Sequence, residues 1–188
     1  MNIFYLHKNP KICAAYHNDK HCVKMCVEYA QLLSTAHRVL DGEEYIDKTA
    51  NGRRIRRWRL DEHDDVIYKA CHVNHPSAIW ARQNQANYVW LYNLWAELAE
   101  EYTHRYGKVH ECWRKLGGVL CFVPRNIEIG TGMHDMTDPT PAMKHFPQCI
   151  VPGDSLASYH NYYREAKAYF SKWTNREVPP FMSGVAHV

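Results

Sequence analysis

Three side chains able to exchange protons or form covalent bonds fall close together early in the chain: His21, Lys24 and Glu28. They belong to DKHCVKMCVEYAQLLSTAH, a stretch that reads as one helix from Asp19 to Leu40. Asp19 can cap its start by accepting hydrogen bonds from free backbone N–H groups, and Asp41-Gly42 is a stop signal. At about 100° per residue, His21 and Glu28 lie about two turns apart on one face, with Lys24 between them. A histidine, an amine and a carboxylate on one ridge are the parts of nucleophilic and general acid–base chemistry. On spacing alone, the ordinary reading of that ridge is a solvated helix face carrying one Lys–Glu pair. A second amine is the α-amine of Met1. The apolar run NIFYL after it is suited to burial, which would pin that amine beside the helix face it packs near. An α-amine titrates near ~8 and a lysine side chain near ~10.4, so the α-amine is the readier nucleophile at neutral pH. Lys24 is the second choice, because Glu28 one turn away holds it as an ammonium. The candidate catalytic residues are therefore Glu28, His21, Met1 and Lys24.

The elements that must position these groups read mostly as helix. Asn9-Pro10 opens a short helix, with Asn9 as cap and Pro10 at its first position. Along Asp19–Leu40, Cys22, Met25 or Cys26, Tyr29, Leu32, Leu33 and Ala36 form an apolar stripe. His21, Lys24, Glu28, Gln31 and Thr35 form a polar one at the same spacing. A second long helix is predicted over Ser77–Tyr106, stopping at Gly107, with a bend or restart at Asn84 to Asn87. The two should pack through Tyr29, Leu33, Leu94 and Leu98. A short helix over 108–116 and a last helix from Asp154 to Trp173 complete the set. The expected fold is a mostly α, single compact helical domain of residues 1–188, with a core of 2–40, 68–116 and 154–173. Residues 41–66 are an excursion, with a small hairpin within 41–60 turned by Asn51-Gly52. Residues 117–153, rich in Pro and Gly, form a long loop wrapping the domain.

Candidate nucleic-acid contacts come from two places. Arg53, Arg56 and Arg57 flank Trp58 in the hairpin, where cations can meet phosphates while the indole stacks or wedges. An equally weighted reading is a surface excursion whose basic half is neutralised by the acidic run Asp61, Glu62, Asp64 and Asp65. His72, His75 and Arg82 lie around the start of the second long helix, a place that favours anions. Lys172, Trp173 and Arg176 add cations and an aromatic near the end of the chain. Trp80 is a further candidate wedge.

Composition permits such a partner without demanding it. The formal net charge is +3, and the chain holds 13 Tyr, 6 Trp and 5 Phe, residues that pack cores and also stack on bases. Seven Cys, an odd number with no C-x-x-C pair, fit a reduced compartment better than a disulfide framework. A zinc site from Cys13, Cys22 or Cys26 with a nearby His is a minor option, because the spacing matches no common zinc pattern. No metal and no cofactor is expected. No signal-peptide h-region follows Met1, and no apolar run approaches membrane-spanning length, so the expected location is the cytoplasm.

Three features together resemble the pyrimidine-dimer DNA glycosylase family of the phage endonuclease V type. An N-terminal segment leads to a helix with Asp19, His21 and, seven residues later, Glu28. A later stretch reads His75-Pro76, Trp80, a Leu-rich run over Leu91 to Leu98, Arg105-Tyr106-Gly107 and His110. The chain ends in an aromatic and basic segment, Tyr169 to Arg176. The similarity covers residues 2–40 and 72–112. The chain is also similar to uncharacterised proteins of phage genomes, as a divergent branch. The resemblance implies a compact helical fold and a bifunctional glycosylase/lyase. In that family the chain's α-amine attacks C1′ of the deoxyribose and a helix glutamate assists the sugar chemistry; Glu28 matches that glutamate and His21 the helix histidine. The chain departs from the pattern at Val27 and Gln31, where the family has basic residues. It departs also at Asn2, whose bulk hinders removal of Met1 and leaves the amine on Met1 itself.

The leading expectation is thus an N-glycosidic-bond hydrolase/lyase acting on duplex DNA with damaged or modified pyrimidines. The alternatives are a nucleotide- or base-modifying enzyme on the same scaffold, which forms an adduct without excision, and a non-catalytic nucleic-acid- or protein-binding module.

Overall fold

The computed structural model describes residues 1–130 and 136–187. It is mostly helical, with one two-stranded antiparallel sheet. Helix α1 (Pro10–Tyr16) is capped by Asn9, whose side chain accepts from the backbone of Lys11 and Ile12. Helix α2 (Asp19–Asp41) is capped one residue earlier than the sequence suggested. Asn18 is the cap and accepts from His21 N, while Asp19 is the first helical residue and its carboxylate serves elsewhere. Helix α2 stops at Gly42, where any Cβ would stand 2.5 Å from the Arg38 carbonyl oxygen and 3.0 Å from Trp58 Cβ. Glycine is required there because the following hairpin folds back tightly onto the helix end.

The hairpin comprises β1 (Glu43–Lys48) and β2 (Arg54–Arg59), in register from Glu43 opposite Arg59 to Lys48 opposite Arg54. Its turn is longer than a two-residue one. Gly52 N donates to Thr49 O, Gly52 takes φ 78, and Thr49 N pairs with Arg53 O, as in a three-residue loop closed by a left-handed glycine.

The second long helix is two helices. Helix α3 (Pro76–Ala81) and helix α4 (Gln85–Tyr106) are separated at residues 82–84, where Asn84 takes an extended conformation and accepts from Asn87 N to start α4. The break lets the buried Asn87 amide donate to Trp80 O at 3.1 Å and accept from Thr137 N at 3.0 Å. An uninterrupted helix would point the Trp80 carbonyl at the backbone N–H four residues on, in competition with the Asn87 amide. Helix α5 (Glu111–Leu120) also differs from expectation. It includes Gly117 and Gly118, so the wrapping loop begins after Leu120. Gly117 lets the Trp113 ring lie along the helix, 3.2 Å from where a Cβ would be. Residues 131–135 of that loop lie outside the described residues. Helix α6 (Ser155–Ala166) starts at the Asp154 cap but ends seven residues before Trp173, giving way to a 3-10 turn at Ala168–Phe170.

One apolar cluster draws on α1 through α6 and on residues 3–6. Helices α2 and α4 pack together, with Tyr29, Leu33, Leu94 and Leu98 all fully buried. Trp95 reinforces the pair by donating to Cys26 O at 2.7 Å. Helix α2 is the central element, with every residue from Leu32 to Arg38 buried. Its polar stripe is therefore only partly solvated, with His21 and Thr35 buried, Glu28 and Gln31 half-buried and Lys24 exposed. Thr35 exchanges hydrogen bonds with the backbone of Cys71 at 3.2 and 3.4 Å, laying residues 67–75 across it. Arg38 donates to the carbonyls of Trp58, Asp64, Ile67 and Tyr68 and to the Asp64 carboxylate, all at 2.6 to 2.8 Å.

A second buried cation closes the far end. The Arg105 guanidinium, with no exposed side-chain surface, donates to Glu101, Asp19 and Ala15 O. Asp19 also accepts from the backbone N and hydroxyl of Thr174, and Arg176 grips Glu101 with two nitrogens. Burial alone would raise the Glu101 pKa; the bonds from Arg176 and Arg105 outweigh it and hold the carboxylate below its usual range. Stability from Glu101 is therefore present above the ordinary carboxylate range and is lost as pH falls through the lower folded value. Glu101→Ala, which removes one of the two carboxylates on buried Arg105 and the partner of Arg176, should cost about 1–3 kcal/mol in urea unfolding, and Glu101→Gln should flatten the acid limb of stability.

Candidate functional site

Residues 2–6 run extended through the core without a sheet partner. Their backbone groups are met by side chains instead. Phe4 N donates to Tyr29 Oη at 3.2 Å, and Cys13 Sγ accepts from Leu6 N and donates to Phe4 O, both at 3.3 Å. His160 Nε2 donates to Leu6 O at 2.9 Å. The Asn2 side chain donates to Ala142 O at 3.0 Å and accepts from the Tyr159 hydroxyl. These bonds fix where Met1 lies. Its side chain is only 3% exposed while the residue as a whole is half-buried, so the part facing solvent is the backbone end that carries the amine.

That amine stands 3.9 Å from Glu28 Oε2, and Lys24 Nζ stands 3.2 Å from Glu28 Oε1. Glu28 is half-buried at 15% and Lys24 is exposed at 70%. The structure thus brings together Met1, Lys24 and Glu28, three of the four residues singled out for chemistry. Two neighbours complete the cleft. His75 is pushed down by burial first, then by the positive charges of the Met1 amine and His72, against the opposing pull of Glu28. The Cys71 thiol is pushed up by burial; its bond to Thr35 and the charge of the Met1 amine oppose this, while Glu28 adds to it. Cys71 was not singled out in the sequence, where seven scattered thiols read as core residues; only its place one residue before His72 distinguished it.

His21 is elsewhere. It is 7% exposed, its ring lies flat on Phe4 with centroids 4.1 Å apart, and Nδ1 is 2.5 Å from the Tyr163 hydroxyl. Burial first, then the charges of His17, Lys167 and Lys24, hold its pKa well below the usual value. It is a neutral packing group beneath the site. Helix α2 is covered on more sides than a two-stripe pattern implies, and His21 lies where α6 closes over it.

The nucleic-acid candidates divide in the same way. Trp58 is 8% exposed, and the Arg56 guanidinium lies 5.6 Å from its ring, so it presents no face to a base. Trp80 and Trp173 are also buried, their indole N–H groups donating to Thr137 O and Tyr16 O. Arg56, Arg57 and Arg59 face Glu44, Asp47 and Glu43 across the hairpin at 3.6, 3.6 and 3.0 Å. Neutralisation comes from the opposite strand, not from the following acidic run. Arg176 is committed to Glu101. Arg53, Lys172 and His72 are exposed, His72 with a left-handed φ of 48°. Arg82 lies at the opposite end of α3 from His75, one capping each terminus, so the two do not form one anion cradle. One Arg82 guanidinium nitrogen is buried with no partner among the described residues. Among them, too, no group of three or more His, Cys, Asp or Glu is arranged to hold a metal, and no helix is long and apolar enough to cross a membrane.

The buried histidines have a measurable consequence. His17 is held down to about 4, chiefly by burial; its Nδ1 donates to Cys13 O and, in the neutral ring, Nε2 accepts from Tyr29 Oη, both at 2.7 Å. Stability from keeping it neutral is fully present above 6.5, the ordinary value, and is lost as pH falls from there toward its folded pKa. Unfolding free energies from urea titrations should fall by up to about 3 kcal/mol over that interval, with His21 adding to the loss in the same direction. A His17→Gln variant should show a flatter acid limb. No protein-family model, curated protein or solved structure matches this chain.

Proposed function

We propose that this chain is a DNA-acting enzyme of the glycosylase/lyase kind, with the α-amine of Met1 as nucleophile and Glu28 as its acid–base partner. The observation that carries the reading is the anchored amine 3.9 Å from a half-buried carboxylate. A solvated helix glutamate has no reason to meet a chain terminus, and a frayed terminus would not bury its methionine side chain. The resemblance of Asp19, His21 and Glu28 to the endonuclease V pattern supports the same reading, with His21 supporting Phe4 from below in place of touching the sugar.

In the reaction the neutral amine adds to C1′ and the N-glycosidic bond breaks. The bonding pair leaves with the pyrimidine, which takes up a proton. Ring opening leaves an imine between the Met1 nitrogen and C1′. A base then removes a C2′ proton and the 3′ phosphate departs by β-elimination. Glu28 is placed to move these protons, and such general acid–base assistance is worth about 100- to 10,000-fold. Lys24 stands over Glu28 as a counter-charge. Its position on the exposed side suits contact with a phosphate.

The test is borohydride trapping with duplexes that carry a modified pyrimidine or an abasic site. A covalent adduct accompanied by strand cleavage is the expected result; an adduct without cleavage would point to a base-modifying enzyme instead. Glu28→Gln should abolish turnover while leaving DNA binding intact and unfolding free energy within about 1 kcal/mol, since it keeps the side chain's size and hydrogen-bonding capacity. Acetylating or extending the N-terminus should prevent trapping. Trapping by acetylated protein would move the nucleophile to Lys24 or another lysine, and full activity in Glu28→Gln would end the reading.

A further inference from the structure

Beside the amine and Glu28 lies a surface where ammonium groups alternate with aromatic rings. Lys20 and Lys24 are exposed one turn apart on α2. Lys20 Nζ is 4.6 Å from the centre of the Phe170 ring. Lys167 Nζ is 4.6 Å from the Tyr162 ring and 5.9 Å from Phe170. Tyr169 stands edge-on to Phe170, with centroids 4.8 Å apart, and is 76% exposed. Among the described residues, neither Lys20 nor Lys167 has a carboxylate within ion-pairing distance, in contrast to the hairpin arginines.

The patch borders the candidate site along helix α2, where Lys20 lies one turn before Lys24, and the buried rings of Phe4 and His21 lie beneath it. Tyr162 lies nearly parallel to Phe4, the two planes 12° apart, and Phe4 stacks on His21. Lys24 carries the line of cations to Glu28. Two cations without carboxylate partners beside one exposed aromatic ring match the two repeating features of an unpaired nucleic-acid strand, its phosphates and its base faces. A duplex offers phosphates but keeps its base faces stacked, which would leave Tyr169 unused. An acidic protein offers charge without flat π-faces. A lipid surface would engage the lysines and not the orientation of the rings.

We infer that Lys20 and Lys167, with the exposed ring of Tyr169, hold an unpaired nucleic-acid strand and lead its sugar to Met1 and Glu28. The second half of this statement rests on the proposed function; the binding does not.

The experiment is fluorescence anisotropy of the full chain with a labelled oligothymidylate, a duplex of equal length and poly-glutamate as charge control. The oligothymidylate should bind at least about tenfold tighter than the duplex, and poly-glutamate should not compete. Tyr169→Ala should weaken strand binding about tenfold, the cost of one lost stack. Lys20→Glu with Lys167→Glu should weaken it further and lower the log–log salt slope by about 1.4, two single-strand phosphate contacts. The charge-matched pair Arg54→Glu and Lys108→Glu should leave it unchanged. If charge reversal disturbs thermal melting, Lys20→Gln with Lys167→Gln reads the same slope. Equal binding of strand, duplex and poly-glutamate overturns the inference. So does a wild-type affinity in Tyr169→Ala, or an equal loss in the charge-matched pair. Strand binding at the patch with no trapping of an abasic oligonucleotide would remove the proposed chemistry and keep the surface. Trapping at subsaturating protein that ignores Lys20 and Lys167 would keep the chemistry and remove the surface.

Discussion

A buried extended segment without a sheet has to find partners for its backbone groups elsewhere, and Phe4 and Leu6 find theirs chiefly in side chains. An unmet buried N–H or C=O costs about 1–3 kcal/mol, so Tyr29, Cys13 and His160 are not interchangeable with apolar residues of similar size. His17 extends the arrangement by bonding both Cys13 O and the Tyr29 hydroxyl. Helix α1, helix α2, helix α6 and the N-terminal segment are thereby tied at one place. The position of the Met1 amine follows from this arrangement, since only one short peptide separates it from the fixed Asn2 side chain.

The same molecule uses its two kinds of cation for different ends. Arginine's planar fork can satisfy several acceptors at once, and Arg38 and Arg105 do so while buried, each joining segments distant in sequence. Arg56, Arg57, Arg59 and Arg176 are likewise answered by carboxylates. Lysine, a point charge on a flexible stem, stays outside. The arginine-rich hairpin is therefore the most basic stretch of the sequence, yet Arg56, Arg57 and Arg59 are already answered by carboxylates. Lys20 and Lys167 have no carboxylate partner among the described residues, and they never form a run in the sequence because α2 and the end of α6 supply them separately.

What could be read from the sequence was local. The Asn9 and Asp154 caps, the stop at Gly42, the hairpin and the pair of Lys24 and Glu28 all depend on residues within a turn or two of one another. The apolarity of residues 2–6 was enough to expect a pinned amine. Long-range partners were not legible. Nothing near His21 announces Tyr163, 142 residues away, and nothing near Thr35 announces Cys71. The break between α3 and α4 looks like a minor bend until Thr137 is seen to need Asn87. Periodicity also assumes a helix with one covered side, whereas α2 is surrounded, so its polar stripe misreports which groups meet water.

The arrangement is specific about which amine can meet Glu28. Consecutive Cα atoms are about 3.8 Å apart, so an amine carried by Asn2 would sit one residue deeper along a segment that is fully buried by Ile3. It would also belong to a residue whose side chain is already tied to Ala142 and Tyr159. The buried Met1 side chain would be lost as an anchor, and the 3.9 Å relation to Glu28 with it. The burial of the methionine side chain and the tie of Asn2 to Ala142 and Tyr159 therefore both favour the Met1 amine as the one that meets Glu28. In the proposed reaction such an amine is positioned before substrate arrives, and preorganisation of this kind is where an amine of ordinary reactivity gains most.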